Sequence, residues 1–137
     1  MIKGFRGKYS FLSNFYETPV TYEGITYRNS EAAFQAAKTL KNKEKFKDMT
    51  GVEAKKAGRV VIMRNDWDEI KLEKMYEICL AKFSQNPELK EKLLETKDEY
   101  IQEENTWGDM YWGTVKDVGQ NNLGKILMQV REELKHV

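Results

Sequence analysis

The sequence predicts a mainly helical α+β fold, a single compact domain over residues 1–137 with a small β-hairpin or sheet near its N-terminus. Three observations lead there. Apolar residues recur at helical spacing in residues 72–83 and 123–134. β-favouring residues are confined to short runs, chiefly 20–27. At 137 residues the chain has ordinary one-domain size, and no repeat, low-complexity tract or Pro/Gly/Ser-rich linker divides it.

Taken in order, Val20-Thr21-Tyr22 and Ile25-Thr26-Tyr27 flank a Glu23-Gly24 turn and read as a hairpin. Ser30 is then placed to cap an alanine-rich helix running to about Leu40. Thr50-Gly51-Val52-Glu53 fits a capping box opening a helix that Gly58 would end. Leu72, Met75, Tyr76, Cys79 and Phe83 share one helical face, with Asp66 as the cap. Asn86-Pro87-Glu88 is a second start signal, with proline at the first helical position. Tyr100-Ile101-Gln102 reads as a short strand, and residues 105–122, glycine-rich and aromatic without a steady period, read as loop. Leu123, Ile126, Leu127, Val130 and Leu134 form the stripe of a last helix.

Composition narrows the chemistry. Lys plus Arg number 23 against 22 Asp plus Glu, so net charge marks neither a nucleic-acid binder nor an acidic scavenger. The longest aliphatic runs are short, such as Val60-Val61-Ile62-Met63, too short for a membrane span. Residues 1–6 lead into no apolar stretch of the signal-peptide kind, and the chain reads as cytoplasmic. A lone Cys79 and a lone His136 leave no internal disulfide and no Cys-based zinc site. They also disfavour a Ser-His-Asp triad, a Cys-His dyad and a multi-His metal centre. Catalysis would then fall to carboxylates, lysine, tyrosine or backbone groups, without metal or cofactor.

Two stretches resist a packing explanation. Glu31, Phe34, Gln35 and Lys38 stand at i, i+3, i+4 and i+7, so an acid, an amide and an amine share one helical face with an aromatic ring. That face is either a solvated surface row or a polar wall turned into a cleft, with Glu31 in the first turn where the macrodipole favours a carboxylate. In residues 104–113, Trp107 and Trp112 flank Asp109 among glycines. Indoles are costly to expose and glycines admit a ligand close to the backbone, so this loop is a wall for a planar heterocycle or a small cluster pinning a long loop. Arg59, Arg64 and the lysines between 38 and 47 make the middle of the chain locally basic, a solvated face in which one arginine has the chemistry for a phosphate. Amides around Gly119-Gln120-Asn121-Asn122 offer a weaker anion site.

Taken together these segments resemble the NADAR, or YbiA-like, family. The matching pieces are Phe11-Leu12-Ser13-Asn14-Phe15; Ser30-Glu31 with Phe34-Gln35 and Lys38; Gly58-Arg59; Trp67; residues 109–113; and Gly119, Asn121, Leu123-Gly124, Leu127-Met128 and Arg131. Residues 113–118 depart from the more glycine-rich stretch of some members, which bears on substrate more than on reaction type. The resemblance implies cleavage of N-glycosidic bonds to ribose, in phosphoribosylamino-pyrimidine intermediates of riboflavin synthesis or in ADP-ribose attached to guanine. It puts the active site on Glu31, Trp67, Asp109 and Trp112, with Lys38 taking part and Asn14, Gln35, Arg59 and Asn121 as further substrate contacts. The implied partner is a small ribosyl nucleotide, with ADP-ribosylated nucleic acid as a second form and no membrane.

The residue inventory suits that chemistry. Breaking a ribosyl C–N bond passes through an oxocarbenium-like state at C1, and glycosidases meet it with two carboxyl groups. Asp109 is expected to activate water or stabilise C1, and Glu31 to assist proton transfer or fix the ribose hydroxyls. Two other readings stand beside this one: a module that binds ADP-ribose or NAD without cleaving it, and a helical interaction domain with Trp107 and Trp112 on an exposed patch.

Overall fold

The computed structural model describes all residues, Met1–Val137. The elements run β1 (Ile2–Lys3), a 3-10 segment (Gly7–Leu12), β2 (Glu17–Tyr22), β3 (Ile25–Asn29), α1 (Ser30–Ala37) and a second 3-10 segment (Lys43–Phe46). Then come α2 (Gly51–Gly58), α3 (Trp67–Gln85), α4 (Pro87–Glu95), β4 (Ile101–Gln102) and α5 (Asn122–Leu134). Helix far exceeds strand, as the periodicity predicts. The chain forms two compact units, a central one of residues 14–86 and a terminal one joining residues 1–13 to 87–137.

In the central unit β2 and β3 form an antiparallel hairpin in which Val20 pairs with Tyr27 and Tyr22 with Ile25. Glu23 and Gly24 both take positive φ, 48° and 86°, the two-residue turn whose twist matches the flanking strands. Helix α1 packs against β2, β3, α2, α3 and the second 3-10 segment, and all eight of its residues are buried. Its four alanines let these neighbours approach closely. Polar residues on such a helix need partners inside the fold.

Three boundaries differ from the sequence reading. The cap of α1 is Asn29, not Ser30: ending an extended strand at φ −158°, Asn29 turns Oδ1 to accept the Ala32 amide at 2.8 Å. Ser30 becomes the first helical residue and donates its hydroxyl to Asn14. The helix also stops at Ala37, because the Lys43 ammonium takes the Ala36 and Thr39 carbonyls and Thr39 bonds locally to Lys41. The third is Asp66, which precedes α3 as expected but makes no side-chain cap; both its oxygens accept from the Arg64 guanidinium, at 2.7 and 3.2 Å. The capping box of Thr50 and Glu53 is present in full. On α3 the buried face is Met75, Ile78, Cys79, Lys82 and Phe83, while Leu72 is exposed, so the apolar stripe is rotated from the predicted one and includes a lysine.

In the terminal unit β1 and β4 pair in parallel, Ile2 with Ile101 and Lys3 with Gln102. The α5 stripe is buried as predicted, and α5 packs on β4 and α4. Residues 105–121 form no regular element apart from a tight turn in which Val115 and Val118 exchange backbone hydrogen bonds. No helix is long and apolar enough to cross a membrane.

Candidate functional site

The polar face of α1 is buried, not solvated. Glu31 and Gln35 are 8% and 5% exposed, and Gln35 Nε2 donates to Glu31 Oε2 at 2.6 Å. The Glu31 backbone is held as well, its amide bonding to the Asn14 carbonyl at 3.0 Å. One turn further, burial holds the half-buried Lys38 ammonium below its ordinary range. The Glu31 carboxylate opposes that shift, while the cationic Arg59, Lys55 and Lys71 add to it. A carboxylate held by an amide and a partly desolvated amine therefore lie along one helix, equipped for proton transfer or nucleophilic attack.

Phe34 on the same face meets Trp67 at a ring-centroid distance of 5.1 Å, tilted by 54°. Trp67 is buried at the first position of α3, packed against Phe34 rather than standing as an open wall. Asn14 also turns inward. It takes the Ser30 hydroxyl on Oδ1 and directs Nδ2 to Met75 Sδ, so it braces the start of α1. Arg59 is exposed just beyond α2. The structure thus brings Asn14, Glu31, Gln35, Lys38, Arg59 and Trp67 into one neighbourhood of the central unit.

Asp109, Trp112 and Asn121 belong to the terminal unit. Asp109 Oδ1 accepts the amides of Tyr111 and Trp112 at 3.0 and 2.9 Å, which folds the loop into a turn and leaves Oδ2 without an internal hydrogen bond. Trp112 is half-buried and meets Tyr111 edge-on at 4.9 Å. Trp107, by contrast, is 64% exposed. Asn121 is 2% exposed, its Oδ1 accepting the Glu103 amide and its Nδ2 donating to Tyr100 Oη and Ile101 O, so it ties α5 to β4.

The weak anion site expected at Gly119–Asn122 is not open. The amides of Gln120, Asn121, Asn122 and Leu123 are taken by the carbonyls of Met110, Gly113, Tyr111 and Trp112. Those bonds zip the aromatic loop onto the start of α5, a better use of orphan helix amides than solvent. Asn105 is the residue that sequence reasoning missed. Its Oδ1 accepts the Trp107 and Asp109 amides, and its Nδ2 reaches the Asp109 carbonyl at 2.9 Å. The sequence signal for it is an Asn two residues before Trp107 in a loop with glycines, the spacing of a side chain that mimics a backbone turn. No group of three or more His, Cys, Asp or Glu side chains is arranged to hold a metal ion.

The NADAR domain family model matches residues 3–135. A riboflavin biosynthesis protein of Vibrio vulnificus is 37% identical over 133 residues, covering 93% of this chain; the chain spans 36% of that longer protein. The Escherichia coli N-glycosidase YbiA is 36% identical over 132 residues, with 92% of this chain and 82% of that protein covered. The fold is similar to the NMR structure of the Escherichia coli protein YbiA, with a TM-score of 0.87 at 33% identity over 98% of this chain and 84% of that one. A match of such reach in sequence and in backbone shows that the chain belongs to the NADAR domain family.

Proposed function

We propose that this chain hydrolyses the bond between C1 of a phosphorylated ribose and the nitrogen of a base, a phosphoribosylamino-pyrimidine in the first instance. The chain is a hydrolase of N-glycosyl compounds, as its relatives named N-glycosidase are. The observation that carries the assignment is the buried Glu31 carboxylate, held by the Gln35 amide at 2.6 Å on a helix whose every residue is buried. An acid kept buried in that setting has the profile of a proton-handling group. The name of the Vibrio relative supports a riboflavin-pathway substrate. ADP-ribosylated guanine is the second substrate class of the same bond type.

In this reading Glu31, as the charged carboxylate, assists proton transfer by accepting a proton or fixes the ribose hydroxyls. Asp109 uses Oδ2 to stabilise positive charge at C1 or to activate water, its Oδ1 being committed to the loop. Trp112 stacks on the base, worth ~1–3 kcal/mol. Arg59 takes the phosphate. The lowered Lys38 ammonium favours one variant: its free amine adds to C1 of ring-opened ribose as the base leaves, and the resulting imine is hydrolysed.

The test is incubation with a phosphoribosylamino-pyrimidine, ADP-ribosylated guanine DNA and NAD, scoring released base and ribose product. Glu31→Gln and Asp109→Asn are each expected to lose on the order of 10²-fold or more in turnover. The double variant should lose little beyond the worse single one, because the two acids serve one step. Near-normal turnover by Asp109→Asn, or losses that simply multiply, overturns the assignment, and NAD binding without base release from any substrate makes the chain a binder. Borohydride in the same assay traps a Lys38 adduct only if the covalent variant operates.

A further inference from the structure

We propose that Gln35, seated in the gap that Gly58 leaves, is a positioning residue that keeps Glu31 charged and fixed, and does not itself contact substrate. This rests on Glu31 being the proton-handling acid. Gln35 Nε2 is committed to Glu31 Oε2, and Gln35 Oε1 is buried with no hydrogen-bond partner. An amide with one end bonded and the other sealed offers nothing to a ligand. The orphaned oxygen is an unfavourable feature that persists because the other end of the amide does something. The Glu31 carboxylate fixes the orientation: only Nε2 can donate to it, which turns Oε1 away.

Gly58 makes that orientation fit. A Cβ at position 58 would sit 1.9 Å from Gln35 Oε1 and 2.6 Å from Cδ. Sequence reasoning takes Gly58 for a helix stop, yet it lies inside α2 as its last residue, followed by Arg59 at φ −75°. Backbone conformation therefore does not require glycine here, and the space beside Gln35 does. An N–H donated to a carboxylate favours its charged form and pins its rotamer. The charged groups around this face are Lys38 just past α1, Lys55 on α2, Arg59 just past α2 and Lys71 on α3. On the other elements packed against α1, Glu17 pairs with Arg28 across the hairpin, and Lys43 is held by the Ala36 and Thr39 carbonyls.

The experiment is a carbon-13 NMR titration of the Glu31 side chain in the unaltered chain and in Gly58→Ala, Gln35→Leu and Gln35→Glu, with thermal unfolding as the check on folding. Gly58→Ala displaces only the end of a flexible side chain and introduces a better helix former, so it is expected to fold normally. The Glu31 midpoint should rise by roughly one pH unit in Gly58→Ala and Gln35→Leu, the weight of one charge-assisted hydrogen bond. It should rise further in Gln35→Glu, where a second carboxylate faces it. The acid limb of kcat/KM on a phosphoribosylamino-pyrimidine should move with the midpoint, with activity recovered at higher pH. A midpoint unmoved in both Gly58→Ala and Gln35→Leu overturns the proposal, as does a kcat/KM loss equal at all pH values. If the midpoint moves but Glu31→Gln keeps full activity, the catalytic reading of Glu31 fails instead.

Discussion

Three lysines in the central unit, Lys38, Lys43 and Lys82, are pushed below their ordinary range by burial, and the surroundings of Lys38 and Lys82 set them apart. Lys38 is half-buried, and the Glu31 carboxylate opposes the loss of its proton. Lys82 is fully buried on α3, its ammonium within 5.7 Å of the Tyr16 ring centroid and 5.0 Å of that of Phe83, and burial brings it down to about 8 from 10.5. Between those two values the unfolded chain holds a proton at Lys82 that the folded chain releases, so this residue makes stability rise with pH across the window. Cys79, also fully buried, works the other way: its thiol is raised to about 12 from 9.0, so above pH 9 the unfolded chain ionises first and stability falls. Between pH 8 and 9 the Lys82 effect is therefore not opposed by Cys79. Urea unfolding there should show stability climbing by at most about 1.4 kcal/mol per pH unit from this site. Lys82→Met, similar in length and apolar, should remove that slope; an unchanged slope in the variant would refute the assignment.

At the scale of elements, the loop bearing Asp109 owes its shape to one buried side chain. Asn105 is 4% exposed and acts as a substitute for secondary structure, bonding the backbone on both sides of Asp109. Beside it Gly113 has no room for a side chain, since a Cβ there would lie 2.0 Å from the Glu103 carbonyl. Asn105→Ala leaves buried backbone groups unsatisfied, at about 1–3 kcal/mol, and releases the turn that orients the Asp109 carboxylate. Amide exchange measured by mass spectrometry should accelerate in residues 106–112 while α5 stays protected, with turnover falling alongside; unchanged protection in the loop would show that Asn105 does not hold it. This loop also marks where sequence reasoning stops. The stripe of α5 is legible because five apolar residues repeat at helical spacing over an otherwise polar helix, and the Thr50 box because its two partners are local. The cap of α1 is not legible, because Asn29 and Ser30 are both good caps and only the extended backbone inherited from β3 decides between them. Nor is the buried face of α3, because Lys82 looks polar in sequence although α3 buries it. The candidate site residues Glu31, Gln35 and Lys38 were legible as a row, but not the burial of that row, which comes from α1 being enclosed by five other elements.

At the scale of the whole molecule, the two units differ in how far apart in the chain their contacts lie. The central unit is continuous, and its hairpin closes through a two-residue turn between Tyr22 and Ile25. The terminal unit is assembled from both ends of the chain, and its only ladder joins Ile2 to Ile101. Parallel pairing across such a distance brings no return until nearly the whole loop entropy has been overcome, while local hairpins and helices form early. The β1–β4 pair should therefore form after the transition state and the β2–β3 hairpin within or before it. Ile2 and Val20 are 2% and 0% exposed, so truncation to alanine removes three buried carbons from the first and two from the second. Stopped-flow folding in urea then separates them. Ile2→Ala is expected to speed unfolding and leave the refolding rate unchanged, and Val20→Ala to slow refolding. A refolding rate reduced by Ile2→Ala as much as by Val20→Ala would mean that the chain ends meet early, and that the terminal unit nucleates the fold instead of completing it.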